Sequence, residues 1–166
     1  AVGEIEQVSE RVWKIYGAGG NTTVFVRNEG VALVDTKLAS NGAAILAQVR
    51  KVTDKPVILI INTHSHGDHV GSNAEINGAD SIAVVAQANT SRRMAAMPNV
   101  GAAGSTFNDR LSLGTGADRI ELVTLEVTPQ QAQAMAIADL HGTLRLSLRP
   151  FGEDDIVRYK DDYQRT

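Results

Sequence analysis

Cysteine is absent from this chain, which excludes disulfides and any thiolate metal site. Positive charge is not in excess either. The net charge is −3 and no basic patch stands out, so nucleic acid is not an expected partner. No apolar run reaches the length needed to span a membrane. An initiating methionine is also missing. The start at Ala1 suits a processed protein or a trimmed sequence, and tilts the expected location toward periplasmic or secreted rather than cytoplasmic. What is present is ordinary for a globular protein: 166 residues, enough for one domain or one and a small appendage, and 43% hydrophobic content.

One stretch is not ordinary. Asn62-Thr63-His64-Ser65-His66-Gly67-Asp68-His69 gathers three of the four histidines and an aspartate. The preceding run, Pro56-Val57-Ile58-Leu59-Ile60-Ile61, is short, continuous and β-branched, and so reads as a strand buried on both faces. The histidines then fall at the carboxyl end of a buried strand, the edge where ligands collect in layered α/β proteins. Neutral imidazole and carboxylate are good ligands for zinc and similar divalent ions. His64 and His66 are two apart, so in extended backbone both point to one side and can hold one ion. Asp68 and His69 follow Gly67, where the chain can bend, and so can face a second ion.

Around this stretch the chain reads as alternating strands and helices. Val8 to Tyr16 is a predicted strand, broken by Gly17-Ala18-Gly19-Gly20. Thr22 to Arg27 and Val31 to Asp35 form a predicted hairpin. Asp35 at its end reads as a turn or cap residue. Ser40 or Asn41 is expected to cap a helix running to about Val52, with Ile45, Leu46, Val49 and Val52 as its buried stripe. A short helix is expected over Val70 to about Ile76 and a strand over Ser81 to Ala86. A further helix starts at Asn89 or Thr90 and stops at Pro98; its methionines read as core filler and Arg92 and Arg93 as a solvated face. Asn99 to Ser105 reads as a loop and Phe107 to Gly114 as a short strand.

The motif resembles the His-x-His-x-Asp-His signature of the metallo-β-lactamase superfamily. Val31-Ala32-Leu33-Val34-Asp35-Thr36, Gly20-Asn21-Thr22-Thr23-Val24-Phe25-Val26 and Val70-Gly71-Ser72-Asn73 extend the resemblance over about residues 7 to 122. That resemblance implies an α/β fold, half of a four-layer αββα sandwich. It implies one or two zinc ions, or another divalent metal, held by His64 and His66 and by Asp68 and His69. It also implies that Asp68 orients the attacking water, that Asp35 supports the ligands from below, and that the substrate is a small molecule.

Past Leu122 the pattern changes. Apolar residues shift from even positions (Ile120, Leu122) to odd ones (Val123, Leu125, Val127), a change of buried face. The further metal-binding histidine, the bridging aspartate and the last histidine that the family implies find no match here. The one remaining histidine, His141, reads either as a replacement ligand or as an ordinary helix C-terminus. Thr128-Pro129-Gln130-Gln131 reads as a helix start. Gly142 ends that helix, and Leu144, Leu146 and Leu148 alternate as a strand before a charged tail. This stretch resembles the carboxyl-terminal region of pilus-assembly proteins of the RcpC/CpaB type. The expected organisation is therefore a metallo-β-lactamase-like half over residues 1–122 and an appended β-α-β segment over residues 123–166. Two functions follow: a metal-dependent hydrolase with an incomplete site, or a catalytically inert metal-binding or interaction module from a truncated or chimeric protein. An exposed half-sandwich face would favour a homo-oligomer.

Overall fold

Seven strands form one sheet in chain order, and the sheet changes character halfway along. The computed structural model describes residues 1–78, 81–100 and 103–124, with 128 and 130 as isolated positions. The chain divides into two compact units, Ala1–Leu125 and Glu126–Thr166, and the first holds every element below. Strands β1 (Val2–Ser9), β2 (Val12–Gly17), β3 (Thr22–Val26) and β4 (Val31–Val34) pair antiparallel through tight connections. From β4 onward the pairing is parallel, through β5 (Val57–Asn62), β6 (Ala83–Gln87) and β7 (Ser105–Phe107). Parallel neighbours need crossovers, and helices supply them. These are α1 (Gly42–Val49), the pair α2 (Gly67–Val70) and α3 (Asn73–Ile76), and α4 (Ala88–Ala95).

Period-two alternation sorts the strand residues between two cores. On one face Val24, Leu33, Ile60, Val84 and Ala86 pack with Ile45, Val49, Val70, Ile76 and Met94 from the helices. On the other, Ala32, Leu59, Ile61 and Val85 meet Leu111, Leu113, Ile120 and Leu122. Those four belong to a separate antiparallel hairpin, β8 (Arg110–Leu113) and β9 (Ile120–Val123). Both faces of β4 and β5 are thus covered, as their continuous apolar sequence requires. Among the described residues, no helix is long and apolar enough to cross a membrane.

Several expectations are corrected. Residues Val8 to Tyr16 are not one strand: the chain turns at Glu10-Arg11, so Val8 belongs to the end of β1 while Val12 opens β2. Helix α1 stops at Val49, and Asn41 makes no side-chain cap. The Glu75 carboxylate accepts from Gly42 N and Ala43 N instead, a cap supplied by another helix. The helix after the motif begins at Gly67, inside it, and is followed by a second at Asn73. Helix α4 begins one residue early, where the Gln87 side chain accepts from Asn89 N, and ends at Ala95, ahead of Pro98. Phe107 to Gly114 is not one strand: Phe107 closes the large sheet, and β8 begins at Arg110 in the hairpin. The helix over Ala132 to Leu140, His141, the strand from Leu144 and the tail from Phe151 lie outside the described residues.

Candidate metal centre

Parallel pairing places the carboxyl ends of β4 and β5 side by side, with Val34 beside Ile61. The residues that follow are therefore neighbours: Asp35, Thr36 and Lys37 on one side, Asn62, Thr63 and His64 on the other. Asp35 N donates to Ile61 O at 2.9 Å. At that point the backbone leaves strand geometry. Asp35 (φ 62°) and Lys37 (φ 64°) both sit in the left-handed region, where a side chain costs about 1–2 kcal/mol each. The surroundings hold them there.

The buried Asp35 carboxylate accepts from Thr63 N at 2.9 Å through Oδ1. Through Oδ2 it accepts from Thr63 Oγ1 and His69 Nδ1, each at 2.7 Å. Beneath it lies a closed polar network. Thr36 Oγ1 donates to Asn73 Oδ1 at 2.6 Å, and Asn73 Nδ2 donates to Asn62 Oδ1 at 2.7 Å. The His69 carbonyl accepts from Thr36 N at 2.7 Å and Asn62 Nδ2 at 3.1 Å. His69 is thus tied at its ring by Asp35 and at its backbone by Thr36 and Asn62.

The extended backbone of His66 (ψ 146°) gives way to α2, and that single helical turn carries Asp68 and His69. Their arrangement comes from the turn, not from a glycine bend. The His64 ring stands 4.0 Å from the His69 ring and 4.7 Å from the His66 ring, centroid to centroid. His69 Nε2 lies 3.5 Å from Asp68 Oδ2. Two donors on one tetrahedral zinc, each about 2.0–2.1 Å from it, stand roughly 3.4 Å apart, so this pair fits a divalent ion. Asp35, His64 and His69 also bring one ligand atom each within 4.8 Å of one another. Both Asp35 oxygens already accept hydrogen bonds, which makes it an orienting carboxylate rather than a free donor. Burial holds His64 below the usual imidazole range, reinforced by neighbouring His69, while Asp35 pulls the other way. A neutral ring is the form a metal needs. The sequence-predicted residues are thus together, with His64 between His66 and His69; His66 is the more exposed.

Sequence reasoning missed the glycine turn and its anchor. A Cβ on Gly20 would stand 3.0 Å from His69 Nε2, and one on Gly19 would stand 2.7 Å from Asp68 Cβ. Only glycine lets this turn lie against the motif, where Gly20 N donates to Asp68 O at 3.1 Å. The turn is held by Lys37, the largest fully buried side chain among the described residues. Its ammonium donates to Ile15 O and Gly17 O at 2.8 Å and Gly20 O at 2.9 Å. Burial pushes Lys37 down to about 8. Nothing in the local sequence marks that lysine as buried, since its partners are carbonyls distant in sequence.

With this geometry in place, the chain's relatives can be compared. The family profile of the metallo-beta-lactamase superfamily matches residues 15–129. The chain belongs to the metallo-beta-lactamase superfamily. A probable metallo-hydrolase of Streptococcus pyogenes serotype M6 is 38% identical over 55 residues, 33% of this chain and 22% of that protein. The structure of a metallo-beta-lactamase from Pontibacter korlensis superposes with a TM-score of 0.62 at 22% identity, covering 73% of this chain and 59% of that one. A class B3 di-zinc metallo-beta-lactamase from an Alaskan soil metagenome gives a TM-score of 0.58 at 16% identity, covering 68% and 48%. The chain therefore spans about half to three-fifths of these structures' length, and resembles part of the metallo-beta-lactamase fold.

Proposed function

We propose that this chain carries the primary metal-binding half of a metal-dependent hydrolase site. Zinc would be held by His64 and His66 at one position and by Asp68 and His69 at a second. The observation that carries this reading is the 3.5 Å approach of Asp68 Oδ2 to His69 Nε2, beside a neutral-leaning His64. When bound, a divalent ion supplies Lewis acidity and brings water's pKa toward neutrality. The protein's share is positional. Asp35 fixes the His69 ring through Nδ1 and leaves Nε2 free. Thr36 and Asn62 fix the backbone beneath it. Asp68, half-exposed at the rim, would accept a hydrogen bond from an attacking water and hold it against a substrate.

Four ligands divided between two positions fall short of the three protein ligands that a catalytic zinc usually has. We therefore read the site in this chain as incomplete. The alternative is a module that binds metal or a partner without turnover. That alternative rests on the sequence reading of Val123 to Pro150 as a pilus-assembly-like segment rather than a second hydrolase half. The family match does run past Leu122, to residue 129.

Zinc stoichiometry and turnover of β-lactam, thioester and phosphodiester substrates, measured together, test the reading. The expected result is zinc uptake that vanishes when His64 and His66 are both replaced by alanine, with little or no turnover. Any residual rate should disappear in Asp68→Ala. Unchanged zinc content in the double variant refutes the ligand assignment. Robust zinc-dependent turnover lost in Asp68→Ala would show the site to be complete after all.

A further inference from the structure

Thr63 stands between the Asp35 carboxylate and the first histidine of the motif. Its hydroxyl oxygen lies 2.7 Å from Asp35 Oδ2 and 3.0 Å from His64 Nδ1. A threonine hydroxyl has one proton to give. The shorter contact is to a carboxylate oxygen, an acceptor with no proton of its own, so the hydroxyl proton points there. Were it turned toward His64 instead, two oxygens would face each other at 2.7 Å with no proton between them. The contact to His64 is then a hydrogen bond only if Nδ1 carries the proton and the hydroxyl oxygen accepts it. The Thr63 backbone N–H, donating to Asp35 Oδ1 at 2.9 Å, keeps the residue from swinging away.

The same carboxylate oxygen accepts from His69 Nδ1 at 2.7 Å. One carboxylate thus reaches two imidazoles, His69 directly and His64 through a hydroxyl. In both rings Nδ1 is occupied and Nε2 is left with its lone pair. A histidine side chain free in water favours the opposite form, with the proton on Nε2, so the arrangement reverses the default at two rings.

We propose that Thr63 is a positioning residue that relays the Asp35 charge to His64, locks its Nδ1–H tautomer and presents Nε2 as the ligand atom. This rests on the metal-site reading above for its purpose, though not for its geometry. Orienting partners of this kind typically change metal affinity by about 10–100-fold. A relay one atom removed from the carboxylate belongs at the lower end. Thr63 is solvent-exposed, so its side chain can be changed without opening the core.

The test uses the full chain and two substitutions. Thr63→Val keeps the shape and removes the hydroxyl; Thr63→Ser keeps the hydroxyl. Nitrogen-15 correlation spectra of the metal-free protein at about pH 8, where ordinary imidazoles are neutral, report which ring nitrogen of His64 is protonated. The wild type should show Nδ1–H, Thr63→Val should shift His64 toward Nε2–H while His69 stays as it was, and Thr63→Ser should restore the wild-type pattern. Zinc titration against a competing chelator should then show about tenfold weaker binding in Thr63→Val and recovery in Thr63→Ser. A wild-type His64 already protonated on Nε2, or a tautomer unchanged in Thr63→Val, overturns the relay. If the wild type takes up no zinc while the tautomer pattern follows the hydroxyl, the relay stands and the metal-site reading falls.

Discussion

Below the histidines, Asp35, Thr36, Lys37, Asn62 and Asn73 are each between 0% and 5% exposed, and their side-chain polar atoms all have partners. Above them, the Asp68 and His69 side chains are 42% and 22% exposed, and His66 stands out in solvent. The floor of the site is closed and hydrogen-bonded; its rim is open and keeps ligand atoms free. Polar groups in the floor cost free energy unless satisfied, so they enforce one geometry. Polar groups at the rim stay solvated and available. The two layers should therefore respond differently to mutation: the floor in stability, the rim in metal binding.

The sharpest way to break that contrast is Lys37→Met. The substitution keeps the length of the side chain and removes three hydrogen bonds to Ile15 O, Gly17 O and Gly20 O. Buried carbonyls left unpaired cost about 1–3 kcal/mol each, and no longer burying a charge offsets part of that, so a net loss of about 2–4 kcal/mol is expected. Chemical denaturation measures it. A stability unchanged within about 0.5 kcal/mol would show that the floor is not what holds the glycine turn.

Asp35→Asn belongs to both layers, because Asp35 is buried yet touches His69. The amide cannot accept at both of its ends. Zinc affinity should fall by about 10–100-fold, with a stability cost of about 1–2 kcal/mol. Calorimetric titration and a denaturation curve on the same sample test both halves. An affinity that does not move would separate floor from rim more completely than the geometry suggests.

The smallest effect is in pH. Burial lowers Lys37 to about 8, whereas an unfolded lysine titrates at about 10.4. Below pH 8 both states carry the proton, and the cost of burying the charge is borne in full. Between about pH 8 and 10 the folded state releases a proton that the unfolded state keeps, so stability should rise with pH, by about 1–2 kcal/mol. Urea midpoints at pH 7.5 and 9.5, compared with those of Lys37→Met, isolate the contribution. A wild type that loses stability relative to the variant over that range would mean that the three carbonyls hold the ammonium charged.

The motif histidines and Asp68 stood out as candidate ligands because metal ligands must be particular residue types, and the buried strand before them announced itself by an unbroken apolar run. The helix start at Gly67 and the break before Asn73 were missed because two short helices carry too few residues for a period to show. The Glu75 cap on α1 was missed for a related reason: its partners are more than thirty positions away.

What the sequence determined by itself was the cluster of candidate ligands and where the strand carrying it ends, since residue type and period-two alternation are local properties. What only the tertiary structure decided was how those side chains are held. Parallel pairing of β4 with β5 brings Asp35 within 2.7 Å of both Thr63 and His69, across 28 and 34 positions of chain. A buried lysine then fastens a glycine turn against the same motif. Hydrogen bonds depend on distance in space, and a single sequence does not record which of its distant segments will meet.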